Sequence, residues 1–363
     1  MFPRLAYIEW IRERLETASV SHDFGSSDLG REFEGAVPPR LAALPDPEDG
    51  VSLEARIAGV YGPSVDPSNV LVTAGATQAN LVAAATALGE WGDRHVVETP
   101  GYEPLIATPR GLGAEIDRVH REPPRYALEP AAVAASVDDR TGLVTVTNRH
   151  NPSGQSTPRE RLDAVASVVG GHGAYLLVDE VYAPFRRDPE TGPGTALGGV
   201  TGAGLDRTLV SNSLTKFLGF DALRTGWLVG PTEAVDRARS VEPHFLSTSK
   251  VSRRLAHRAL ANLDTVVERS RNAVTENSTL LSAFVNSRDD LEGVVFPEST
   301  FAFLSHRSRS GDEVSDAALD AGVLVVPGRF FDCPGRFRIS LGGDPDRMRA
   351  GLDAFASVLD SLD

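Results

Sequence analysis

"GLVTVTNRHNPSGQSTPRERLDAVASVVGGHGAYLLVDEVY", residues 142–182, reads as strand, turn, helix, strand. Its outer runs, "GLVTVT" (142–147) and "AYLLVDE" (174–180), carry no charge until the acids that close the second. Runs of that kind suit strands buried on both faces, as in a parallel sheet sandwiched by helices. Between them "PRERLDAVASVVGG" (158–171) has helical character and supplies the crossover that a parallel pair requires.

The same alternation extends outward. "NVLVT" (69–73) leads into "QANLVAAATALGEW" and then "HVVET" (95–99), while "RTLVSNS" (207–213) and "GWLVG" (226–230) follow downstream. Helical spacing continues over 251–275 through Leu255, Ala259, Leu263 and Val266 or Val267. Beyond it come short strands, "TFAFLSH", "VLVVPG" and "RFRISLG", and a terminal helix over 345–360. The first 45 residues hold no convincing strand, and "PPRLAALPDPEDG" reads as a loop or linker. At 363 residues the chain exceeds the usual size of one core. The expected fold is α/β: a large domain over 46–275 with a mainly parallel sheet between helices, and a smaller α+β domain from 1–45 and 276–363.

Composition narrows the function. Hydrophobic content of 41% and charged content of 24% are ordinary for a soluble enzyme. No apolar run is long enough to span a membrane, and "MFPRLAYIEWIRERLE" lacks the pattern of a secretory signal. A net charge of −14 argues against nucleic acid or an anionic membrane as partner. The single cysteine, Cys333, rules out an intramolecular disulfide framework and points to a reducing cytoplasm. One cysteine and eight scattered histidines offer no metal spacing. Lysine is scarce as well: of 36 basic residues only Lys216 and Lys250 are lysine. An arginine-favouring genome and a salt-rich cytoplasm both account for that depletion.

Lys216 lies in "SNSLTKFLG" (211–219), just after an apolar strand, at the edge where open α/β sheets place ligands. Arginine stays protonated, whereas a buried lysine can lose its proton and form a Schiff base with an aldehyde. "TAGATQAN" (73–80) is a strand end, a small-residue turn and a helix start, whose free N–H groups suit a phosphate. There Thr77 is either an extra donor or simply an N-cap. Asp179 ends the apolar strand of "LLVDEVY", where a carboxylate calls for a cationic partner: a protonated pyridine nitrogen or a structural arginine.

Six motifs then occur in order: "TPGYEPL", "NRHNPSG", "DEVY", "SNSLTK", "ALRTGW" and "FRISLG". Together, over about residues 50–345, they resemble the class I/II aminotransferases, the fold-type I pyridoxal-phosphate enzymes. The resemblance implies pyridoxal 5′-phosphate as cofactor and amino transfer between an L-amino acid and a 2-oxo acid. Lys216 would carry the cofactor as a Schiff base and later shuttle a proton, and Asp179 would pair with the pyridinium nitrogen. Tyr182 and Asn151 would bond the ring's phenolic oxygen, and Tyr102 would stack on its face. Ala76, Thr77, Ser213 and Arg224 would hold the phosphate, and Arg338 would clamp the substrate carboxylate, with Asn151 beside it. Tyr61 would reach the phosphate of a neighbouring subunit, making a homodimer with shared sites the expected assembly.

Other readings stay open at this point. The tyrosines also fit core positions, and Asn-Pro-Ser-Gly is turn chemistry in its own right. A lyase or decarboxylase on the same fold would share Lys216 and Asp179, and a ligand-sensing regulator would need a DNA-binding domain this acidic chain has no length for. Arg149 stands where the family commonly has proline, so an altered pocket near Asn151 is expected. "DFGSSDLGREFEGAVPP" lacks the usual glycine-and-proline substrate loop. "HFLSTSKVSRR" (244–254) replaces a serine-rich loop that faces the partner in this family, which puts Lys250 near a neighbour's site.

Overall fold

The computed structural model describes residues 3–29, 39–187 and 194–362. Seven strands form the large sheet: β2 (Val70–Thr73), β3 (Arg94–Thr99), β4 (Glu115–His120), β5 (Thr141–Thr147), β6 (Tyr175–Asp179), β7 (Thr208–Ser213) and β8 (Gly226–Val229). Their order is β2-β8-β7-β6-β5-β3-β4. Pairings from β7 across to β4 are parallel, and only β8 runs against its neighbours. β5, β6 and β7 are buried at every residue, as strands covered on both faces must be.

A second sheet of four strands, order β12-β13-β10-β9, is antiparallel throughout. It comprises β9 (Leu291–Glu292), β10 (Phe301–His306), β12 (Val326–Pro327) and β13 (Phe337–Ser340). Near it β1 (His22–Asp23) pairs in parallel with β11 (Val323–Leu324), so the first 45 residues do contain a strand. It escapes sequence reading because two residues show no period. The stretch read as a linker also contains a short helix, Pro39–Ala42, whose Leu41 is fully buried.

The helical pattern over 251–275 resolves into two helices, Lys250–Ala261 and Leu263–Asn286, meeting at Asn262. The longer one joins the two cores. Its Val266 and Val274 pack in the large core, while Leu281 and Val285 pack with Phe337, Ile339 and Phe355 of the smaller one.

Candidate active site

One cavity lies at the carboxyl ends of the parallel strands, where such sheets leave a crevice. Ten of the eleven residues singled out in the sequence line it: Ala76, Thr77, Tyr102, Asn151, Asp179, Tyr182, Ser213, Lys216, Arg224 and Arg338. Strand ends bring them together: Asp179 closes β6 and Ser213 closes β7.

At one end the turn after β2 opens the helix Ala76–Glu90. Gly75 holds the N-cap position at φ 90°, and no side chain caps the first turn. Thr77 is therefore not the cap, and the leading N–H groups face the cavity uncapped. Arg224 reaches over this turn: a Cβ built on Gly75 would lie 3.2 Å from its Nη2. The guanidinium makes no salt bridge among the described residues. Gly226, at the start of β8, lets the strand approach this turn, since its Cβ would come 2.7 Å from the Ala76 nitrogen. An uncapped helix start beneath an uncommitted arginine is a donor set for a phosphate.

Asp179, 5% exposed, accepts from Asn80 Nδ2 at 2.8 Å and from the Val181 N–H at 3.2 Å. Burial raises its pKa above the ordinary carboxyl value, while Asn80, the Val181 N–H and Lys216 pull the other way. Such a carboxylate gains from a further cation. Tyr182 shares a 2.6 Å hydrogen bond with Ser27 Oγ. For Lys216 burial acts downward, but Tyr182, Asp28 and Tyr7 outweigh it and the balance lies above the ordinary lysine value. The depressed amine expected from burial is not found.

At the other end Arg338, on β13, is buried with its fork spread over three acceptors. Nη1 donates to Asn151 Oδ1 at 2.7 Å; Nη2 donates to the Gly25 carbonyl at 2.8 Å and to Tyr7 Oη at 3.2 Å. Its Nε is buried with no hydrogen-bond partner. Burial lowers its pKa and Tyr7 and Tyr182 raise it, with a net rise, so it remains a cation.

Tyr61, expected at a neighbour's phosphate, is the one of the eleven that does not line this chain's own cavity. Only 4% exposed, it lies in the large core, and its hydroxyl accepts from Trp227 Nε1 at 2.7 Å. Its hydroxyl is thus held inside its own chain, because the fully buried Trp227 indole needs an acceptor there. Arg149 also turns away from the cavity, donating to the Pro297 carbonyl at 2.6 Å. Burial, with Arg186 adding to it, lowers its pKa to about 9. Lys250 is exposed and opens the helix Lys250–Ala261.

Several lining residues were not read from the sequence. Asn80 anchors Asp179, Tyr7 and Gly25 hold Arg338, and Ser27 meets Tyr182. Gly25 and Ser27 belong to the segment "DFGSSDLGREFEGAVPP", of which residues 30–38 fall outside the described ones. Glu103, beside Tyr102, accepts from the Ala6 and Tyr7 N–H groups at 2.9 and 2.8 Å, which ties the N-terminal helix Ala6–Thr17 over the cavity.

The family model for aminotransferase class I and II matches residues 39–355. This chain belongs to that family and is a pyridoxal-phosphate-dependent aminotransferase. It is 28% identical to an aspartate aminotransferase of Streptomyces avermitilis, across 83% of this chain and 76% of that one. With the capreomycidine synthase of Streptomyces vinaceus it shares 29% identity across 97% and 92%. Among solved structures, an aspartate aminotransferase double mutant from Thermus thermophilus superposes with a TM-score of 0.80 at 23% identity, covering 99% and 97%. The pyridoxal-phosphate-dependent cyclase OrfR gives 0.78 at 26% identity, covering 99% and 98%.

Proposed function

We propose that this cavity is where an L-amino acid gives up its amino group and a 2-oxo acid collects it. The observation that carries the reading is the burial of Lys216 and Asp179 in one cavity with an arginine at each end. When bound, pyridoxal 5′-phosphate supplies an electron sink that acidifies the substrate Cα–H. Ala76, Thr77, Ser213 and Arg224 would hold its phosphate, Asp179 its ring nitrogen, and Tyr182 with Asn151 its phenolic oxygen. Tyr102 would cover the ring and keep water from it. Arg338 orients the substrate carboxylate bidentately, and Lys216 Nζ moves the proton at Cα.

The same reading takes 46–275 as the cofactor-binding domain and 1–45 with 276–363 as the smaller one. It makes the protein a cytoplasmic homodimer, consistent with the absence of a membrane-length apolar helix among the described residues. The test is mixing the holoenzyme with one amino acid alone. Release of one equivalent of 2-oxo acid per site, stopping until an oxo-acid acceptor is added, is the expected result. Continuous product release without acceptor would instead identify a lyase or cyclase. Lys216→Arg keeps the charge and should abolish both colour and turnover.

A further inference from the structure

Glu98, the penultimate residue of β3, is fully buried, and amino transfer as proposed gives it no task. Its Oε2 lies 2.5 Å from Nη2 of Arg121, with both side chains closed off from solvent. Such a pair is a poor stability device, because apolar residues of similar volume serve as well or better. Its other contacts lead toward the cavity, which Thr147, Asn151 and Arg338 all line. Oε1 accepts from the Thr147 backbone N–H at 2.8 Å and from the Thr147 hydroxyl. A hydroxyl has one proton, so Thr147 Oγ1 is left to accept, and the Asn151 N–H donates to it at 3.0 Å. Asn151 Oδ1 in turn accepts from Arg338 Nη1 at 2.7 Å. Arginine only donates, so the amide oxygen must face it, and the amide's two N–H donors are what Asn151 keeps for a ligand.

We propose that the Glu98–Arg121 pair is the positioning device for the substrate end of the cavity, acting through the Thr147 hydroxyl on Asn151 and through Asn151 on Arg338. It rests on the aminotransferase reading, in which Arg338 takes the substrate carboxylate and Asn151 the ring's phenolic oxygen. Three donors face the two oxygens of Glu98, so a neutral carboxyl would put its proton against one of them. Arg121 thus keeps Glu98 an acceptor on both sides, and that fixes which way the hydroxyl points. Gly25 and Tyr7 hold Nη2 of the clamp, whereas Nη1 is set by Asn151.

The probe is 2-methylalanine, which has the amino-acid head group, no Cα–H to lose, and only methyl groups, so it presupposes no donor class. Its dissociation constant from the holoenzyme is measured by calorimetry. Thr147→Val leaves the ion pair and the backbone N–H in place but takes the acceptor from Asn151, and should weaken binding about tenfold. Thr147→Ser restores the hydroxyl and should bind within about twofold of the unsubstituted enzyme. Glu98→Gln should cost a similar factor alone yet add little in the Thr147→Val background, since both act through one hydroxyl. Inorganic phosphate binding to the cofactor-free protein reads the opposite end of the cavity, and its affinity should hold in all of these variants. Full binding of 2-methylalanine by Thr147→Val, equal losses for phosphate, or additive losses in the double variant would each overturn the proposal. If Glu98→Gln, with Arg121 left unpaired in the interior, fails to fold, the contrast between Thr147→Val and Thr147→Ser decides. Amino transfer is scored separately, by 2-oxo acid release. Coupled binding losses without release would sink the aminotransferase reading and leave the positioning chain standing.

Discussion

Asp179 is buried at the end of β6 with two neutral donors for company. Its pKa is raised in the fold, so folding disfavours its ionised form. The sign follows: the cost appears as pH rises past the unfolded carboxyl range, and is fully present above the folded pKa. A ring nitrogen carrying a proton would relieve it. Asp179→Asn should therefore raise the melting temperature of the cofactor-free protein at pH 7–8, and shrink the increment gained on adding pyridoxal phosphate. Each kcal/mol corresponds to roughly 2–4 °C for a domain of this size. A cofactor-free variant that melts lower than the parent would show that the carboxylate is structural. Asp179 and Lys216 were legible because each is the wrong residue for its surroundings, one a charge in an apolar run, the other a lysine in an arginine-rich chain. Asn80, Ser27 and Tyr7 were not, since a polar residue becomes significant only once folding sets it beside a distant partner. The direction in which Tyr61 points depends on the buried Trp227 indole, which no local pattern reveals.

Strand ends place the chemistry, so the elements can be tested by crowding one. A Cβ on Gly226 would meet the Gly75 carbonyl carbon at 2.5 Å and the Asn212 carbonyl oxygen at 2.6 Å. Backbone cannot swing aside as a flexible side chain can. Gly226→Ala should push the phosphate-facing turn off the sheet, weakening binding of pyridoxal phosphate at least about tenfold while binding of unphosphorylated pyridoxal changes far less. Gly89 is the control: it lies in the helix Ala76–Glu90 that this turn opens, and a Cβ there meets nothing within 4 Å. Gly89→Ala should be neutral or stabilising by about 0.5–1 kcal/mol. Equal losses for the two cofactor forms in Gly226→Ala would mean that the turn does not hold the phosphate. At this scale the parallel strands were legible from their unbroken apolar runs. The reversal of β8 was not, because strand direction is set by the partner, nor was the break at Asn262, where apolar spacing carries on past a change of axis.

Three large apolar side chains are exposed among the described residues, Val51 at 38% and, far more fully, two that lie close together in sequence. Leu246 is 90% exposed and Val251 68% exposed, on either side of Lys250. This loop is tied to the phosphate-facing helix, because Gln78 Nε2 donates to the Leu246 carbonyl at 2.8 Å while Gln78 Oε1 accepts from the Ala74 N–H. The helix behind it is held by salt bridges from Arg253 to Glu54 and from Arg254 and Arg258 to Asp46. An apolar tip on so well-anchored a base fits the centre of a two-fold interface better than a solvated loop. The unsubstituted protein should sediment at about twice 38.7 kDa, and Leu246→Asp should shift it toward the single-chain mass at micromolar concentration. Lys250→Ala separates assembly from substrate contact. It should keep the dimer and leave KM for neutral donors unchanged, while a selective rise in KM for acidic donors would place Lys250 at the neighbour's cavity. A monomeric parent protein would remove the interface altogether, and with it any role for Lys250 in a second chain's chemistry.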